Sequence, residues 1–88
     1  MKYAFFDRSG QVIGYGDKVD AVRQAFGFQI LDDRVLKVHV RGFKEVTYHS
    51  YNYEYTDEEI IRDIANFLIR EAGSFGITCL KEIGWTEK

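Results

Sequence analysis

No proline occurs in this chain, so its turns must rest on the eight glycines and on Asp, Asn and Ser. Cysteine occurs once, at Cys79, which excludes an internal disulfide and the bridged framework on which small secreted domains often depend. Neither charge predominates: 12 Lys and Arg stand against 14 Asp and Glu, for a formal net charge of -2 and a pI of about 5.6. A chain so balanced has no global basic field to draw it to nucleic acid or to an anionic membrane, which leaves only a local basic patch for such a role. Long apolar runs are also missing. Met1-Lys2-Tyr3-Ala4-Phe5-Phe6-Asp7 meets a charge after four apolar or aromatic residues, too soon for a signal-peptide core. The longest apolar helical segment is interrupted by Arg62, Asp63 and Arg70, which is incompatible with a transmembrane span. The expectation is a cytoplasmic protein with no membrane partner.

What is present is enough for one core. With 45% apolar and 30% charged residues, the 88 residues predict a single globular domain over 1–88. Tyr3 to Phe6 reads as a strand, and Asp7-Arg8-Ser9-Gly10 as a hairpin turn leading to a return strand over 11–15. Asp17 fits an N-cap with Asp20 at N3, and Val19, Val22 and Phe26 follow at helical spacing up to Gly27, placed as a C′ residue. Residues 34–41 alternate, with Leu36, Val38 and Val40 on one face and Val35, Lys37, His39 and Arg41 on the other. Gly42 opens a turn, and 46–55 reads as a long returning strand. Its parity changes between Tyr48 and Tyr51, which implies a bulge near His49 and Ser50 or two opposed faces.

Thr56-Asp57-Glu58-Glu59 carries the signature of a capping box, with Tyr55 placed to staple onto Ile60. Ile60, Ile61, Ile64, Ala65, Phe67, Leu68 and Ala72 form a wide apolar stripe that Gly73 should end. A last strand is expected over 77–85, with Ile77, Cys79, Ile83 and Trp85 on one face. The order is then ββαββαβ. Two amphipathic helices need one sheet face to cover, so the fold class is α+β: a mainly antiparallel sheet with both helices packed on one face.

Motifs for chemistry are thin. His39 and His49 fall opposite one another only in one register, and no further ligand stands at zinc spacing, so no metal is expected. Cys79 lies in an apolar strand pattern, as an inert core cysteine does. Gly14-Tyr15-Gly16 precedes a helix, but Asp17 and Asp20 put negative charge where a phosphate would sit, so no nucleotide cofactor is expected. Glu58, Glu59 and Asp63 on an exposed helix start suit the helix dipole and have no burial to make one of them an acid catalyst.

The strongest remaining signal is aromatic. Residues 48–55 carry four tyrosines, of which Tyr51, Tyr53 and Tyr55 alternate. Tyrosine and tryptophan are frequent anchors of binding surfaces, because ring and hydroxyl serve apolar and polar contacts together. These residues predict a non-enzymatic module that binds a larger protein stoichiometrically, as an inhibitor, adaptor or immunity-type protein does, or that pairs with itself as a homodimer. Tyr51, Tyr53, Tyr55 and Trp85 would carry the contact, with Arg62, Asn66 and Arg70 along the second helix. The alternative is a nucleic-acid-binding face of Lys37, His39, Arg41 and His49, with the same tyrosines stacking on bases.

Overall fold

The computed structural model of the chain describes residues 1–82. The expected strand positions Ile83 and Trp85 lie outside the described residues. Strand β1 (Lys2–Phe6) turns into β2 (Val12–Gly16) through a loop organised by Asp7. Its carboxylate accepts hydrogen bonds from the Ser9 hydroxyl (2.7 Å), the Ser9 amide (2.9 Å) and the Gln11 amide (2.9 Å). The Ser9 hydroxyl foremost, with the amides behind it, holds the Asp7 carboxyl below the usual carboxylate range. Helix α1 (Lys18–Ala25) follows at once, then β3 (Phe26–Ile30), β4 (Val35–Val40), β5 (Thr47–Ser50), helix α2 (Asp57–Arg70), a 3-10 helix (Ala72–Phe75) and β6 (Thr78–Glu82).

The fold is α+β. The expected succession of hairpin, helix, hairpin, helix and strand is present, with β3 added after the first helix. All pairings are antiparallel, and they form two three-stranded sheets of order β2-β1-β6 and β3-β4-β5. Phe26 leaves α1 directly into extended backbone (φ -127°, ψ 150°), so helix and strand share no loop. The orphaned carbonyls at the end of α1 are taken up by Arg41. Its amide donates to Ala25 O (3.0 Å), and its guanidinium donates to Arg23 O through Nη2 (3.0 Å) and Nε (3.2 Å).

One core joins both sheets and both helices. Phe5 and Tyr3 from the first sheet meet Phe26, Leu36, Val38 and Val40 from the second, with Ala21, Val22 and Ala25 of α1 and Ile60, Ile64, Ala65 and Leu68 of α2. Phe26 stacks edge-on against Phe5 at 5.5 Å between centroids. Each large side chain fully buried here contributes about 2 kcal/mol over its exposed state. The capping box of α2 is complete: Glu59 N donates to Thr56 Oγ1 (3.1 Å) and Thr56 N to Glu59 Oε1 (2.9 Å).

Several local expectations are corrected. Gly27 does not end α1 with a positive φ; it is a strand residue of β3 opposite His39, whose imidazole occupies the space a Cβ would need. Gly73 does not stop the second helical segment, because the 3-10 turn carries the chain on to Gly76, which closes it at φ 77°. Asp17 is the N-cap position of α1, yet its carboxylate bonds to Lys2 Nζ (3.3 Å) rather than to the helix amides.

Gly14 sets how closely α1 lies on the first sheet. A Cβ there would run into the Ala21 carbonyl oxygen and lie 3.1 Å from Ala25 N, both backbone atoms that side-chain rotation cannot relieve. Gly14→Ala should therefore cost about 3 kcal/mol in urea denaturation. Gly73→Ala, where an added Cβ meets nothing within 4 Å, should leave the midpoint almost unchanged.

Candidate functional site

Two surfaces gather most of the side chains that sequence reasoning singled out, and a third is a cavity that the sequence does not mark. The first is the corner where β5 leaves its sheet and α2 begins. Tyr51, Tyr53 and Tyr55 are not a strand row: β5 ends at Ser50, which pairs with Val35, the first residue of β4. Beyond that point β4 offers no backbone to pair with, and a turn closed by Tyr55 N to Asn52 O (3.1 Å) brings Thr56 to the cap of α2. Tyr51 packs against the core and donates its hydroxyl to Asp63 Oδ2 (2.9 Å). Burial, and then that bond, push the Tyr51 phenol far above the ordinary range of a tyrosine. Tyr55 stacks edge-on against Tyr51 at 5.3 Å, and Tyr53 stands 77% exposed at the tip of the turn.

Arg34 holds this corner, and nothing in the sequence marks it. In the loop of Asp32, Asp33 and Arg34 it takes the left-handed place (φ 60°) that glycine fills in the β1–β2 loop, where Gly10 has φ 86°. Its carbonyl accepts the Tyr51 amide (3.0 Å). Its guanidinium donates through Nη1 to Asp57 Oδ1 (2.9 Å) and through Nη2 to the Tyr55 carbonyl, while Nε is buried with no hydrogen-bond partner among the described residues. Three segments are thus fixed by one residue.

Arg62, Asn66 and Arg70 form an exposed line on α2, as their spacing predicts. Arg62 is near the tyrosine corner, whereas Arg70 lies roughly 12 Å farther along the axis. There its guanidinium sits over Phe67 (5.6 Å) and 3.6 Å from Glu71. Tyr3 is buried in the core and adds nothing to a tyrosine surface. Trp85 lies outside the described residues.

The second surface is the outer face of the β3-β4-β5 sheet. Lys37 and His39 line a shallow pocket of about 280 Å³ with Gln29 and Arg41. Tyr48, paired with Lys37 and 60% exposed, is the tyrosine that shares this face. His49 does not belong to it. The register pairs His49 with Leu36, because the connection from β4 runs over residues 41–46 rather than through a tight loop, so His49 faces the core side. His39 and His49 therefore lie on opposite faces and cannot share a metal. Among the described residues no three His, Cys, Asp or Glu are grouped to hold one. Cys79 is half-buried opposite Phe5, and burial pushes its thiol up, away from the reactive thiolate.

The third surface is a cavity of about 290 Å³ at the C-terminal end of α2, lined by Phe43, Phe67 and Phe75 with Glu45, Glu71 and His49 among its polar groups. Sequence reasoning missed it. Its residues come from a loop, a strand, a helix and a 3-10 turn, and no spacing in the sequence connects them.

Among the described residues no helix is long and apolar enough to cross a membrane. Comparison with protein-family models, with curated proteins and with solved structures gave no match.

Two measurements test this geometry. Arg34→Ala should lower stability in urea denaturation by about 2–3 kcal/mol, since it strips hydrogen bonds from Tyr55 and Asp57. Arg34→Gly loses the same bonds but relieves the left-handed backbone, so it should recover about 1 kcal/mol of that loss. His49 supplies a pH test. Burial lowers its pKa from 6.5, with Asp63 acting the other way, so the folded protein favours the neutral ring. As pH falls below 6.5 the unfolded chain takes up this proton first, and stability present above that pH declines until the folded ring is protonated too. His49→Phe should remove this part of the acid slope in midpoints measured against pH.

Proposed function

We propose that this chain is a non-enzymatic binding module that makes a stoichiometric contact with a larger protein through the tyrosine corner. The observation that carries the reading is Tyr53: an exposed aromatic ring on a turn tip, beside a Tyr51–Tyr55 pair already immobilised by Asp63 and Arg34. The backbone that carries Tyr53 is held on both sides by these contacts, so little backbone entropy is lost when its ring meets a partner.

The charges around the corner select the partner. Glu54, Asp57, Glu58 and Glu59 are exposed about the tyrosines, and Arg34 is turned inward onto Asp57. A basic surface complements this corner. A second copy presenting the same corner would set like charges against like, which disfavours a homodimer through this surface. Arg62 and Asn66 extend the contact along α2. An inhibitor, adaptor or immunity-type role fits such a contact, and the choice among them belongs to the partner.

The second reading, nucleic-acid binding, draws on Lys37, His39 and Tyr48 sharing the outer face of the second sheet. Its cationic set is small, because Arg41 is occupied at the Arg23 carbonyl and His49 faces the other way.

A pull-down with the tagged domain separates the readings. The expected result is one protein retained through nuclease and high salt and lost from Tyr53→Ala, at about 2 kcal/mol of binding energy. The melting temperature of that variant should stay within about 2 °C of the parent, because the ring is exposed. Recovery of nucleic acid that is lost in high salt, and that depends on Lys37 rather than Tyr53, would overturn the proposal.

A further inference from the structure

The cavity at the C-terminal end of α2 lies at the opposite end of that helix from the tyrosine corner, and its lining has a chemistry of its own. Phe43, Phe67 and Phe75 supply three phenyl walls. Two of them are fixed in place: Phe75 meets the buried Phe26 edge-on at 5.6 Å, and Phe67 meets the His49 ring at 5.0 Å. The charged side chains in the lining are Glu45 and Glu71, both carboxylates. Burial lowers the pKa of His49, so at neutral pH the imidazole adds hydrogen-bonding capacity without positive charge.

We propose that this cavity binds a small organic cation: a protonated amine carried on a single flat aromatic ring. The volume of about 290 Å³ is at the lower end of ligand cavities, which suits one ring with a short arm and is too small for a nucleotide. The phenyl walls take the ring, and the carboxylate of Glu45 takes the ammonium. Two of these rings already have a cation on one face, the Arg8 guanidinium 5.7 Å from the Phe43 centroid and that of Arg70 5.6 Å from the Phe67 centroid, so selection for a cation falls to the carboxylate that neither arginine pairs. Glu71 is partly engaged by Arg70 (3.6 Å) and by the Ser74 hydroxyl (3.4 Å). Glu45 is exposed on the loop and forms no ion pair among the described residues, so it is the principal partner of the ligand's charge. An anionic ligand of the same shape would place its charge against these carboxylates.

The test is a titration of the labelled protein by amide NMR with three probes of one shape: 2-phenylethylammonium, 2-phenylethanol and 3-phenylpropionate. The cation should bind with a Kd on the order of 1 mM and shift the amides of Thr47, His49, Phe67 and Ser74. The anion should bind at least roughly ten-fold more weakly, and Glu45→Gln should weaken the cation by about five-fold while leaving 2-phenylethanol unchanged. Glu45 is exposed and makes no hydrogen bond or ion pair among the described residues, so this variant keeps the fold, which the undisturbed amide spectrum verifies. Equal affinity for all three probes would reduce the cavity to an apolar slot and overturn the proposal. So would shifts at other amides, or no saturable shift up to about 10 mM of the cation. Failure here leaves the tyrosine corner untouched, because Tyr53→Ala does not alter this cavity and Glu45→Gln does not alter the corner.

Discussion

The guanidinium fork of Arg34 is the interaction on which the arrangement of the second half of the chain depends. It reaches from a hairpin loop to the last residue before the cap of α2 and to the first residue of the helix itself. The Asp57 carboxylate and the Tyr55 carbonyl, on either side of the Thr56 cap, are taken by the two Nη groups of one planar guanidinium. The cost is visible too: Arg34 sits in a left-handed conformation, and its Nε is buried with no partner among the described residues. Such costs persist where surrounding contacts over-determine a conformation. Here the contacts are the Tyr51 amide on the Arg34 carbonyl and the two donations from the fork, all converging on the tyrosine corner.

The first half of the chain is governed by proximity rather than by charge. Gly14 lets α1 approach β2 until backbone nearly touches backbone, and α1 then passes into β3 without a loop. The direction of the second sheet is set by that junction. Arg41 repeats on a small scale what Arg34 does elsewhere, since its fork satisfies a helix-end carbonyl and ties β4 to α1. Both arginines are therefore structural, which removes Arg41 from the basic face on which nucleic-acid binding would rely.

How much could be read in advance differed with the range of the interaction. The capping box of α2, the apolar stripe that follows it and the alternation of β4 are local patterns, and the structure holds them as read. Strand β3 was not legible. Phe26 continues the helical spacing of Val19 and Val22, and Gly27 looks like a helix terminator until its neighbour across the ladder, His39, is known. The tyrosine alternation misled for a related reason, since period two predicts a strand only where another strand is available to pair, and β4 begins too late for that. The site residues divided in the same way. The exposed line on α2 followed from helical spacing, whereas the side on which His49 falls depended on a register fixed by loop length.

The turn over Asn52 to Tyr55 has a consequence for the behaviour of the protein in a crowded solution. Among the described residues strand β5 is an edge of its sheet, and with four residues that edge is short. Had the tyrosines continued it, the edge would have been long, flat and rich in residues of high β propensity, a template for adding strands from other molecules. By folding away at Asn52 the chain keeps its most adhesive segment out of cross-strand register with its neighbours. The same rings stay accessible to a partner that recognises their side chains but not to one that would extend the ladder.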